Sequence, residues 1–168
     1  MLFRSIALAA EAAKSDGIEH ASKIVDVTTG GEKCTDFAAC KALLDAGKDI
    51  DYDGVSGPID MNGNGEPLAG TYGILQFGAD NRIDDSLTTN VPAASPDSAK
   101  VDLTPVEGSR AGDGQLSIGG LMPQTGSLAF LGQPMFAGAE LAVADLNAAG
   151  GVLGKEVKYS AEIGRAHV

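Results

Sequence analysis

The sequence predicts an α/β fold in which a parallel sheet is flanked by helices. Three observations carry this prediction. Apolar residues with helical spacing run from Gln133 to Ala148, the stretches Leu116–Leu121 and Val152–Tyr159 on either side are predicted strands, and turns that contain glycine separate them. A strand, a loop, a helix and a returning strand, in this order, are the basic unit of a parallel sheet.

The C-terminal part of the chain carries these signals most clearly. The stretch PQTGSLAFLG, which precedes the helix, is predicted to be a loop. The helix ends in a glycine cap at Asn147–Gly151. One face of the helix is mainly apolar and is expected to pack against the sheet; it is formed by Phe136, Ala139, Glu140, Val143 and Leu146.

The N-terminal part contains further helices and strands. A helix is favoured at Ile6–Ala13, and another begins at the N-cap Asp36 and ends at Gly47. Two short apolar stretches, Val55–Met61 and Thr71–Phe77, are separated by a glycine-rich turn and are predicted to be strands.

Residues 85–114 differ in character from both parts. Ser, Thr, Pro, Asp and Gly follow one another there without any period, and three of the seven prolines fall in this stretch. Such a composition is typical of a flexible tether, so we expect a disordered linker.

Composition and charge narrow the classes of function. The 168 residues include 12 Lys and Arg against 23 Asp and Glu, a formal net charge of -11, which repels the phosphates of nucleic acids and the anionic surface of membranes. No apolar run approaches the roughly 20 residues that cross a bilayer. We therefore expect neither a nucleic-acid partner nor a membrane span.

The two cysteines, Cys34 and Cys40, lie six residues apart. A structural zinc site normally takes four ligands, and because the chain has only two histidines, zinc is not expected. Two alternatives remain: a local disulfide, which suits an exported protein, or two small buried residues in a reducing compartment.

One acidic stretch imitates a calcium-binding loop. Carboxylates and a glycine stand at the positions that an EF-hand loop uses, at Asp49, Asp51, Asp53, Gly54 and Asp60. The last of these is not the longer Glu, and Gly57-Pro58 interrupts the segment that should become a helix. A solvated acidic turn is the preferred interpretation, and a small calcium-binding structural module is the alternative. No metal and no cofactor are predicted.

No arrangement of catalytic residues is recognisable. The chain lacks a nucleophile elbow, and His20 has no partner that the sequence identifies, so we expect a protein that is not an enzyme. Binding is favoured instead, because open α/β sheets bind ligands at the carboxyl ends of their strands. Gly126 and Ser127 follow such an end and offer N–H and hydroxyl groups to a small polar ligand; an ordinary βα turn explains them equally well.

The two ends of the chain are related at the level of DNA. Leu2-Phe3-Arg4-Ser5 can be encoded by a string whose reverse complement encodes Glu162-Ile163-Gly164-Arg165, and both strings match a short-read sequencing adapter. We therefore expect residues 1–5 and 162–168 to be artefacts.

Two regions resemble one protein family. The segment IGGLMPQTGSLAFLGQPMFAGAELAVADLNAAGGVLGKEV, Ile118–Val157, resembles the opening of mature type I periplasmic binding proteins of the leucine/isoleucine/valine receptor family. The earlier segment Lys33–Phe77, with its paired cysteines and GVSGPID stretch, resembles the closing part of the same family. Together they cover about half of the chain.

The resemblance implies a two-lobed α/β receptor that closes around a branched-chain amino acid or a related small polar solute and presents it to the permease of an ABC transporter. It also implies a disulfide between Cys34 and Cys40 and an extracytoplasmic location, in the periplasm or at the cell surface, with or without a lipid anchor. By position, four residues would line the ligand cleft: Gln124, Thr125, Ser127 and Leu131. A ligand-sensing ectodomain of the same fold is the rival function.

The order of the two regions is reversed relative to the family. Residues 6–84 are therefore predicted to be the closing segment of one solute-binding module, residues 85–114 the linker, and residues 115–161 the opening βαβ segment of a second module. A tandem junction is preferred because the linker is in frame and polar; circular permutation and artificial joining are the alternatives. Such a fragment is not expected to bind solute well by itself.

Overall fold

The computed structural model describes residues 2–55, 57–58, 60–62, 65–94 and 110–164. Over these residues the fold is mixed α/β, as predicted. Its elements, in chain order, are α1 (Leu2–Ala13), a 3-10 turn (Ile18–Ser22), α2 (Lys23–Asp26), β1 (Glu32–Cys34), α3 (Phe37–Asp45), β2 (Ile50–Tyr52), β3 (Ala69–Ile74), a second 3-10 turn (Asp85–Leu87), β4 (Thr89–Ala94), β5 (Ser117–Pro123), α4 (Ala129–Ala148) and β6 (Lys158–Gly164).

The C-terminal segment (residues 110–164) is a βαβ unit. Strands β5 and β6 pair in parallel, with Ile118 opposite Tyr159, and α4 connects them. Side chains alternate along β5, so that Ile118 and Met122 are buried whereas Leu121 is exposed. The parallel sheet that the order of elements predicted is confirmed.

Helix α4 is longer than predicted. It begins at Ala129, inside the stretch PQTGSLAFLG, because Ala129–Leu131 contain no helix breaker and the helix continues through Pro134. At its other end the N–H of Gly151 donates to the carbonyl of Leu146 at 2.9 Å, which confirms the predicted glycine cap.

Strand β6 begins later than predicted, at Lys158. The backbone groups of Val152 and Lys155 hydrogen-bond each other across a tight turn, at 2.8 and 3.1 Å, and Leu153 within this turn has a φ of 54°. Because the turn occupies these backbone groups, pairing with β5 starts only after it.

In the N-terminal segment (residues 2–55), α3 forms at the predicted place. The side chain of Asp36 accepts a hydrogen bond from the N–H of Ala39 at 2.9 Å and caps the helix. Gly47 follows the helix end with a φ of 72°. Phe37 and Cys40 turn inward, and β1 and β2 pair in parallel beside the helix.

The predicted strand at Val55–Met61 is wrong. Strand β2 ends at Tyr52, and the N–H of Gly57 then donates to the carbonyl of Gly54 at 2.9 Å across a turn. Gly57 has a φ of 90°, and Pro58 has no N–H, so this segment cannot continue a strand ladder. Residues 56 and 59 lie outside the described residues.

Strands β3 and β4 form an antiparallel hairpin in which Tyr72 lies opposite Val91. The strand predicted at Thr71–Phe77 is present with shifted bounds, but its partner falls within the predicted linker. The start of the predicted linker is therefore not disordered: Asp85–Leu87 form a 3-10 turn, and Thr89–Ala94 complete the hydrogen-bonded ladder of β3. The middle of the predicted linker, residues 95–109, lies outside the described residues. The division of the chain into domains remains a prediction.

Helix α1 lies at the centre of the core. Its residues 7–10 have no exposed surface, and it packs against both α3 and α4. Residues 2–5 of the predicted artefact form the first turn of this helix, and residues 165–168 lie outside the described part. Among the helices described, none combines the length and the apolar character needed to cross a membrane.

Candidate functional site

The candidate site is the loop that leaves the carboxyl end of β5. The strand ends at Pro123, α4 begins at Ala129, and the five residues Gln124–Leu128 connect them. Ligands of open α/β sheets bind at this edge, where strands end and helices begin. The loop therefore occupies the place at which the order of elements predicted a binding site.

The side chains predicted to line the site are accessible. Gln124, Thr125 and Ser127 are exposed in the loop, and Leu131, in the first turn of α4, is 44% exposed. Gly126 has a φ of 80°, a conformation that glycine adopts without strain. The structure thus brings the four predicted residues into one short stretch of surface, while their role in binding remains a prediction.

The backbone of the loop turns directly into the helix. The N–H of Ala129 donates to the carbonyl of Gly126 at 3.2 Å, and the N–H of Leu131 donates to the carbonyl of Leu128 at 3.0 Å. No side chain caps this helix end. The positive end of the dipole of a 20-residue helix is therefore not compensated by a capping side chain.

The stretch of sequence that contains the loop carries no formal charge. Between Gln115 and Ala139 there is no Asp, Glu, Lys, Arg or His. The groups available to a ligand are hydroxyls, an amide, backbone N–H groups and the apolar side chain of Leu131. This set suits a small polar solute, and an anionic group would be favoured at the end of the helix.

One residue that positions the site was not predicted from the sequence. Gly132 is buried in the first turn of α4, and a Cβ at this position would lie 1.7 Å from the carbonyl oxygen of Pro123. The absence of a side chain lets α4 approach the end of β5 closely, which fixes where the loop lies. The available signal was the glycine that directly follows the apolar residues of Leu128–Leu131.

The two cysteines form a disulfide. Cys34 ends β1 and Cys40 lies in α3, with their Cα atoms 5.3 Å apart. The bond that the family resemblance implied is confirmed, and the alternative of two free buried thiols is wrong for this structure.

The acidic stretch is already in contact with a cation. The ammonium of Lys33 lies 2.8 Å from a carboxylate oxygen of Asp51 and 2.9 Å from one of Asp53. These hydrogen bonds raise the pKa of Lys33 above its ordinary range. In the described part of the chain no group of three or more His, Cys, Asp or Glu residues is arranged to hold a metal ion. The contact of Lys33 was not predicted, because it depends on the pairing of β1 with β2.

Comparison with known proteins gave a family match in the segment that contains the loop. No curated protein and no solved structure matches the chain significantly. Residues 115–162, which hold β5, the loop, α4 and most of β6, match the family described as periplasmic binding protein. The match spans less than a third of the chain. It supports a type I periplasmic binding protein, a family of solute-binding proteins, as the origin of this segment.

Proposed function

We propose that this chain is part of an extracytoplasmic receptor that binds a small polar solute of the amino-acid class and delivers it to the permease of an ABC transporter. The observation that carries the proposal is the coincidence of two features. The family match falls on residues 115–162, and within it an exposed loop of neutral polar residues follows the carboxyl end of a strand. The family is one of binding proteins, so we propose binding and not catalysis.

The polar groups of the loop suggest how such a solute would be held. A carboxylate would approach the uncapped end of α4, where the backbone N–H groups and the helix dipole favour negative charge. The hydroxyls of Thr125 and Ser127 and the amide of Gln124 would complete its hydrogen bonds. Leu131, in the first turn of the helix, would contact the apolar part of the solute.

Calorimetric titration of the complete gene product with a panel of amino acids tests this function. We expect at least one amino acid to bind, and we expect Ser127→Ala and Thr125→Ala each to weaken binding by about tenfold, the loss of one hydrogen bond to a charged group.

Ser117→Ala is the matched control. Ser117 is exposed at the first residue of β5, at the end of the strand far from the loop. Removing its hydroxyl should therefore leave the affinity for the solute unchanged. Absence of binding by any amino acid, or equal effects of all three substitutions, would contradict the proposal. Solute uptake by vesicles that contain the permease then separates a transport receptor from a sensing ectodomain of the same fold.

A further inference from the structure

The N-terminal and C-terminal segments share one hydrophobic core. A single cluster of buried side chains contains residues of both segments, among them Leu8, Phe37, Ile50, Leu116, Leu146 and Val152. Helix α1 connects them, because it packs against α3 of its own segment and against α4 of the other. The buried cluster is therefore formed by side chains of both segments.

A buried carboxylate joins the segments through hydrogen bonds. Glu11 of α1 is 2% exposed. One of its oxygens accepts from the N–H of Leu153 in the C-terminal segment at 2.8 Å, and the other lies 3.4 Å from the ammonium of Lys41 in α3. A charge this deeply buried is tolerated only with such partners, so both segments are needed to satisfy Glu11.

A second buried carboxylate holds the start of the C-terminal segment. Asp16, 3% exposed, accepts hydrogen bonds from the N–H of Asp113 at 3.0 Å and from the N–H of Gly114 at 2.8 Å. These bonds hold the pKa of Asp16 below its ordinary value. The N–H of Ile18 adds a backbone bond to the carbonyl of Arg110 at 3.1 Å.

The glycines on both sides of this contact allow it to be close. A Cβ on Gly17 would lie 2.7 Å from the carbonyl oxygen of Arg110, and a Cβ on Gly112 would lie 2.4 Å from a carboxylate oxygen of Asp16. Each segment thus has a glycine at the point where the other segment approaches closely. The two segments can therefore pack against each other without a steric clash.

We propose that the N-terminal and C-terminal segments are complementary parts of one folding unit, held together by these contacts and not by the peptide chain that connects them. The two receptor-like regions then belong to a single lobe whose parts occur in permuted order. This differs from a junction between two independent modules, in which neither segment would need the other.

Cutting the connection tests this proposal on the full chain. A protease recognition sequence is inserted between residues 102 and 103, and complete cleavage is verified by mass spectrometry. We expect the two pieces to elute together from a size-exclusion column at micromolar concentration, with the circular dichroism of the uncut chain. Separate elution of the pieces under native conditions would overturn the proposal.

Substitution of Asp16 shows which contacts hold the pieces. Because its hydrogen bonds reach the other segment, we expect Asp16→Ala in the cut chain to raise the dissociation constant by about tenfold or more. Asp26→Ala is the control, since Asp26 pairs with Lys23 in its own helix at 2.9 Å. Equal dissociation constants for the two variants would contradict a role of Asp16 in holding the pieces together. The cut wild-type chain serves as the reference for both variants.

Discussion

Gly132 lies in the first turn of α4 with no room for a side chain. A Cβ there would meet the carbonyl oxygen of Pro123 at 1.7 Å, and this backbone atom cannot move without moving β5. We expect Gly132→Ala to lower the free energy of unfolding by about 1–3 kcal/mol and to weaken solute binding by the complete gene product. Urea unfolding and calorimetric titration measure these two effects.

Gly138 provides the matched control in the same helix. A Cβ at this position meets no atom within 4 Å. Gly138→Ala should therefore raise the free energy of unfolding, by up to about 1 kcal/mol, because alanine favours the helix over glycine. A stabilising effect of both substitutions would show that close packing at Gly132 does not hold α4 on β5.

Single residues were predictable where a local rule applies to them. Asp36 caps α3 because a carboxylate before a run of helix formers can accept a backbone N–H. Gln124 and Ser127 lie at the carboxyl end of β5, as the order of elements required. The pairing of Lys33 with Asp51 was not predictable, because it depends on the register that places these two residues opposite each other in the parallel strands β1 and β2.

At the scale of elements, the disulfide ties the end of β1 to α3 and closes a short loop. In the chain-entropy view such a loop restricts the unfolded state by roughly 2 kcal/mol. We expect the double substitution Cys34→Ser and Cys40→Ser to lower the free energy of unfolding by about this amount, as measured by urea unfolding. A reducing agent should have the same effect on the wild type, and a wild type indifferent to the reducing agent would contradict the bond.

Apolar periodicity did not correctly predict where β6 begins or that β4 is a strand. The predicted strand Val152–Tyr159 begins with two apolar residues, yet the turn between Val152 and Lys155 uses the backbone groups that a strand would need. Strand β4 was not predicted, because its residues lie in the stretch assigned to the linker. They nevertheless complete the ladder of β3. A local turn decided the first case, and a pairing partner farther along the chain decided the second.

At the scale of the whole molecule, two regions differ in packing. Helix α1 is enclosed by α3 and α4, whereas the hairpin of β3 and β4 leaves Tyr72, Phe77 and Val91 exposed. A two-stranded hairpin with little tertiary packing is only marginally stable. We expect the N–H groups of α1 to exchange with deuterium at least tenfold more slowly than those of β3, as measured by mass spectrometry of peptides. Equal protection of the two elements would contradict this difference.

The sequence by itself determined the α/β class, the cap at Asp36, the glycine turn after α4 and the position of the loop at Gln124–Leu128. Each of these follows from spacing or residue type within a few positions of the chain. Only the tertiary structure decided that α1 lies between the two segments, that Glu11 and Asp16 join them, and that Lys33 contacts two carboxylates. These contacts connect residues far apart in sequence, and their energy comes from burial and from backbone partners that no local pattern identifies.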